Sequence, residues 1–156
     1  MIVNESFNVQ QLKELLFEVK TKVYNSQIER ATNKDGIKET RYKKGPLEYL
    51  DLVYGNQKSF LGLEISKFNE VPKWAMNYYG MKVSDIVDTE EMWQFMFEAL
   101  GHIEMERPYV GPSYFKKGKY EYIETSQGDI NKIAGEIKVL YEDNPVFLGS
   151  YHGCLL

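Results

Sequence analysis

Apolar side chains at Val9, Leu12, Leu15, Leu16, Val19 and Val23 recur every three or four residues, which lines them along one side of an α-helix. Asn8 stands at the N-cap with Gln11 three residues on as a capping box, and Phe7 and Leu12 take the two staple positions. Met92, Phe95, Met96, Ala99, Leu100 and Ile103 make a second such stripe. There Asp88 and Glu91 form the box, Val87 and Met92 the staple, and Gly101 marks the end. Elsewhere the period drops to two. Strands are predicted at residues 48–54, 60–68 and 73–79 after the first helix, and at 120–126, 130–140 and 146–152 after the second. Gly55-Asn56 and Gly128-Asp129 supply turns, as do residues 69–72 and 142–145. Residues 25–45 are polar, Lys-rich and without period, and read as an exposed, mobile loop.

The two groups of strands resemble each other. Residues 42–50 (YKKGPLEYL) align with residues 115–123 (FKKGKYEYI) at an offset of 73, and Gly55 and Gly128 keep it. After a slip of one residue Glu64-Ile65 meets Glu136-Ile137. Pro72, Trp74, Tyr78, Tyr79 and Gly80 then meet Pro145, Phe147, Tyr151, His152 and Gly153 at 73 again. The predicted fold class is therefore α+β: an internally duplicated unit of one helix and three strands, forming an antiparallel sheet with two helices on one face. The halves are residues 6–80 and 87–153 of a single domain spanning 1–156.

Strand alternation suggests which face is free. Leu61, Leu63 and Ile65 suit a helix-covered core, which leaves Phe60, Gly62, Glu64, Ser66 and Phe68 on the other side. By the same rule Ile133, Ile137 and Val139 turn inward, and Ala134, Glu136 and Lys138 outward. Glu64 and Glu136, with Trp74, Tyr78, Phe147 and Tyr151, then converge on an acidic, aromatic groove between the halves. Such a groove suits a flat or cationic small molecule, because rings stack and a carboxylate supplies counter-charge. The same glutamates also read as exposed strand residues paired with neighbouring lysines, and the aromatics as ordinary packing.

With 19 basic and 23 acidic residues the net charge is -4, and the pI is near 5.3, so direct nucleic-acid binding is not expected. No apolar run approaches the ~20 residues that span a bilayer, and the MIVNESFN start lacks the order of a secretion signal, so a cytoplasmic, non-membrane protein is expected. A single Cys154 and two histidines exclude a disulfide framework and a multi-cysteine zinc site; no metal or cofactor is expected. Cys154 lacks a basic neighbour that would make it a nucleophile, and His152 reads as a hydrogen-bonded polar residue. No phosphate-binding loop, serine elbow, His-Glu-x-x-His or dinucleotide fingerprint is present, so no catalytic residue is assigned. Tyr, Phe and Trp make up 14% of the chain, enough to furnish a pocket or an interface. Residues 107–112 (RPYVGP) read either as a groove rim or as the turn leading out of the second helix.

The succession Tyr49-x-Asp51, Phe60-x-Gly62-x-Glu64, Trp74-x-Met76-Asn77-Tyr78-Tyr79-Gly80, Pro108-Tyr109-x-Gly111-Pro112 and Tyr151-His152-Gly153 resembles a bacterial domain of unknown function. That family occurs alone or behind helix-turn-helix regulators of the XRE type. Val110 stands where the family usually has Arg, and Cys154 where it usually has Gly. A weaker, architectural similarity is to gyrase-inhibitor-like effector domains, which implies drug or effector sensing. The chain carries no DNA-binding segment of its own. The leading expectation is thus a small-molecule-binding domain. The alternatives are a small hydrolase using a groove glutamate as general acid or base, and a protein-interaction module such as a homodimer joined through a sheet edge or the aromatic face.

Overall fold

A computed structural model describes residues 6–156; the first five positions of the start read for a secretion signal lie outside the described residues. Helix α1 runs Val9–Tyr24 and helix α2 runs Thr89–Leu100. Asn8 caps α1, accepting the Gln10 N–H at 2.7 Å. The expected box with Gln11 does not close, because the Gln11 side-chain oxygen is buried with no hydrogen-bond partner among the described residues. Asp88 caps α2 by accepting the Glu91 N–H at 3.1 Å. Gly101 ends α2 in right-handed geometry, φ -63° and ψ -17°, so its freedom to turn left is not used. Ile103 is buried just beyond the helix.

The strands are β1 (Ala31–Thr32), β2 (Lys38–Lys44), β3 (Leu47–Asn56), β4 (Ser59–Phe68), β5 (Val71–Lys82), β6 (Tyr114–Lys117), β7 (Tyr120–Asp129), β8 (Lys132–Tyr141) and β9 (Asn144–Leu155). They form one antiparallel sheet in the order β1-β2-β3-β4-β5-β9-β8-β7-β6. Two meanders therefore meet at a central pair, β5 and β9, whose register runs from Trp74 opposite Leu155 to Lys82 opposite Phe147. Two hairpins turn through Asn69-Glu70 and Glu142-Asp143, all four residues with positive φ. Only that mirror-image turn follows the right-handed twist of the strands it joins.

The class is α+β, but the unit of one helix and three strands is not what the chain forms. Helix α1 is followed by five strands, β1 to β5, and α2 by four, β6 to β9. The stretch expected as a loop, residues 25–45, contains β1 and β2. β1 is the sheet edge and β2 the strand beside it, where charged residues discourage further pairing, and that polarity hid them.

Both helices lie on one face. Leu12, Leu15, Leu16 and Val19 of α1 pack with Tyr49, Phe68, Trp74 and Met76, while Met92, Phe95, Met96 and Ala99 of α2 pack with Tyr122, Val139, Val146 and Phe147. Each such aliphatic side chain contributes about 1.5–3 kcal/mol on burial. The covered side of β4 is not the expected one. Phe60, Gly62, Glu64, Ser66 and Phe68 turn toward the helices, and Leu61, Leu63 and Ile65 turn away, with Leu61 63% exposed. Aliphatic residues are common on protein surfaces, so their presence alone does not identify the core side. No helix among the described residues is long and apolar enough to cross a membrane.

Candidate functional site

The two core clusters do not meet completely. Between α1, α2 and the sheet remains a cavity of about 240 Å³ whose walls include Phe60, Trp93, Phe97 and Phe147. Tyr24 and Phe97 bring the two helices together over it with ring centroids 6.4 Å apart. Trp93 is held by its indole N–H, which donates to the Gln57 carbonyl at 2.9 Å.

Its floor is built by close approach. Gly62 stands opposite Tyr78 in the β4–β5 register, and a Cβ there would lie 2.0 Å from Tyr78 Cζ; only glycine lets the ring lie across the strand. So placed, the Tyr78 hydroxyl donates to Asp51 Oδ1 at 2.6 Å. Asp51 is also paired with Arg30, Nη2 to Oδ2 3.2 Å. The same device recurs at Gly135, where a Cβ would lie 2.4 Å from Tyr151 Cζ. The Tyr151 hydroxyl donates to Glu124 Oε1, and Arg107 Nη2 reaches both Glu124 oxygens at 3.0 and 2.9 Å.

Glu64 is the exceptional group. It lies opposite Asp51 across β3 and β4 and is only 6% exposed. Lys20, buried on α1, reaches Glu64 Oε1 at 2.9 Å and donates to the Tyr109 carbonyl as well, which ties α1, β4 and the segment after α2 together. Glu64 Oε2 is buried and has no hydrogen-bond partner among the described residues. Loss of hydration raises the Glu64 carboxyl to about 7; Lys20 opposes the shift, the Asp51 charge adds to it, and the nearby Tyr49 hydroxyl opposes it more weakly. Burial, and then the nearby carboxylates, push Tyr78 far up, so its hydroxyl stays a donor.

Glu64, Tyr78, Phe147 and Tyr151 line the cavity; Trp74 and Glu136 do not. Trp74 is wholly buried in the cluster beneath α1. Glu136 pairs with Thr125 and Ser150 on the exposed face, so the two glutamates lie on opposite sides of the sheet. The expected groove away from the helices is thereby corrected: the cavity is on the helix side. The one-residue slip is the cause. Gly62 and Gly135 hold like positions under Tyr78 and Tyr151, so two residues further along, Ile137 stands where Glu64 does.

Lys20, Arg30, Asp51, Trp93 and Phe97 were missed. Lys20 had a signal, since it falls between Leu16, Val19 and Val23 on the apolar stripe of α1. Asp51 alternates with the inward Tyr49 and Val53. Arg30 sits in the stretch read as loop and carried none. Residues 107–112, expected chiefly as the turn leading out of the second helix, also supply Tyr109 and Val110 to the cavity. No group of three or more potential metal ligands gathers among the described residues.

Fold and cavity together define an α+β domain with an aromatic cleft between a sheet and its helices. Residues 51–156 match the domain of unknown function DUF5680, about two thirds of the chain, and the protein belongs to that family. No curated protein and no solved structure matches it.

Proposed function

We propose that this domain binds a small, flat, aromatic molecule in the cavity between α1, α2 and the sheet. One observation carries the reading: Glu64 lines the cavity, and its Oε2 is buried without a hydrogen-bond partner among the described residues. A buried acceptor left unmade costs about 1–3 kcal/mol, more when charged, and a ligand N–H or O–H between the surrounding rings recovers it. Effector sensing alongside a separate helix-turn-helix regulator belongs to the same proposal. A thermal-shift screen of planar aromatic compounds tests it. At a hundredfold excess over Kd a ligand specific to the folded state adds about 2.7 kcal/mol, a rise of roughly 5–10 °C in a chain of this size. The rise should be lost in Glu64→Gln and in Trp93→Ala. If no compound class shifts the wild type, or if hits shift both variants equally, the proposal fails.

Elevation of the Glu64 carboxyl to about 7 favours a second reading, a hydrolase in which Glu64 is general acid or base. Ester, lactone and epoxide panels should then reveal a turnover that Glu64→Gln abolishes while the variant still folds. Stoichiometric binding without product would exclude it.

A further inference from the structure

The charges around the cavity are not symmetric. Its lining holds three cationic side chains, Lys20, Arg30 and Lys38, against the single anion Glu64. Lys20 is committed to Glu64 and to the Tyr109 carbonyl at the floor. Arg30, 35% exposed along its side chain, uses Nη2 on Asp51 and makes no other side-chain hydrogen bond among the described residues. Lys38, on the covered side of β2 opposite Val53, is exposed and has no ion-pair partner among them. A ligand entering the cavity therefore finds Lys38, and the N–H groups that Arg30 does not spend on Asp51, at its outer end, and one acceptor without a partner among the described residues at its inner end. Asp51, which holds Arg30, stands directly across from Glu64. The Asp51 end of the Arg30 ion pair is thus one strand spacing of about 5 Å from Glu64, within the span of one bicyclic ring and a short arm, while Lys38, on β2 opposite Val53, stands two strands from β4.

Resting on the binding reading above, we infer that the ligand is an aromatic carboxylate bearing a ring N–H or O–H donor, its donor inward on Glu64 Oε2 and its carboxylate outward at Arg30 and Lys38. An aromatic cation fits less well. Its charge would have to pass Arg30 and Lys38 and then share Glu64 with the Lys20 ammonium, only 2.9 Å from the other carboxylate oxygen, and like charges repel strongly at such range among buried groups. A neutral donor makes the same hydrogen bond without that repulsion. The outward carboxylate gains a guanidinium whose planar fork suits it and an ammonium free to follow it.

Four compounds on one ring test this by calorimetric titration of the full chain: indole, indole-3-acetate, 1-methylindole-3-acetate and tryptamine. Indole-3-acetate should bind about tenfold or more tightly than either indole or tryptamine, and methylation of the ring nitrogen should cost about tenfold. Lys38→Glu, at an exposed position that leaves the fold alone, should weaken indole-3-acetate about tenfold and indole by less than twofold. Arg30→Lys should act in the same direction while keeping the charge on Asp51 balanced. Tryptamine binding as well as indole-3-acetate, or an unchanged Lys38→Glu, would overturn the charge assignment and leave the binding cavity standing. Equal binding of the N-methyl compound would overturn the donor contact. No binding by any of the four would overturn this inference, while the reading beneath it falls only if the wider screen of planar aromatic compounds is also empty.

Discussion

Replacing Gly62 by alanine should unsettle the floor of the cavity in a calculable way. The new Cβ would stand 2.0 Å from Tyr78 Cζ and 2.3 Å from its hydroxyl oxygen, where carbon atoms normally rest about 3.5–4 Å apart. The ring must therefore move by about 1.5 Å or more, and a hydrogen bond of 2.6 Å to Asp51 does not survive such a shift. Overpacking costs about 1–3 kcal/mol, and a lost hydrogen bond to a charged group about 1.5–3 kcal/mol. A total of roughly 2.5–6 kcal/mol follows, a large share of the 5–15 kcal/mol that holds a typical domain. Urea unfolding followed by circular dichroism measures it directly. A cycle with Tyr78→Leu then locates the cause: without the ring, Gly62→Ala should cost less than about 1 kcal/mol, because the pair in contact is strongly non-additive. Full additivity, or a Gly62→Ala protein within about 0.5 kcal/mol of wild type, would refute the reasoning.

Glu64 takes up its proton in the folded state at about 7 against 4.5 for the ordinary group. The folded form then binds the extra proton between those values, and the stability Glu64 contributes is complete below pH 4.5 and is lost as pH rises through 7. That amounts to about 3 kcal/mol at ~1.4 kcal/mol per pH unit, and stability curves for Glu64→Gln should lack this fall. Trp74→Ala should lose about 3–5 kcal/mol in denaturant, yet leave the ligand affinity of the folded fraction unchanged, since Trp74 lies outside the cavity lining. Glu136→Gln should stay within about 0.5 kcal/mol of wild type and bind ligand normally, as an exposed strand residue would. Glu142, at φ 46°, should gain about 0.5–1 kcal/mol of stability as glycine, read from the denaturation midpoint, because a side chain resists that conformation more than glycine's extra entropy costs.

Both helices, their cap residues and six of the strands were legible in the sequence because apolar period and turn chemistry are local. What failed was non-local. The face of β4 depends on which side receives a helix, and a row such as Phe60, Gly62, Glu64, Ser66 and Phe68 looks solvent-facing until Lys20 arrives from α1 and Tyr78 from β5. Glu136 was placed in the site by one misjudged step in an alignment, and a slip of one residue exchanges the faces of a strand. Strands β1, β2 and β6 escaped because they lie at or beside the two edges of the sheet and are short or charged, with too few inward residues to show a period. Arg30 and Lys38 could not be found from spacing at all, since the strand pairs that carry them to the cavity lie in the stretch without period.

The central position of β9 has a consequence for how the molecule is made. Its partner β5 ends at Lys82, but β9 runs to Leu155, so about 73 further residues must be synthesised before that edge is closed. At ~5–20 residues per second this is roughly 4–15 s on the ribosome. For that interval the first meander exists with Trp74, Met76 and Tyr78 along an unpaired strand, the kind of edge that recruits another chain. The pairing that eventually covers it joins residues more than 60 positions apart, a slow class of contact. Nascent chains of this protein are therefore most vulnerable to aggregation just before completion of β9, and a chaperone that shields strand edges would act on them in that window.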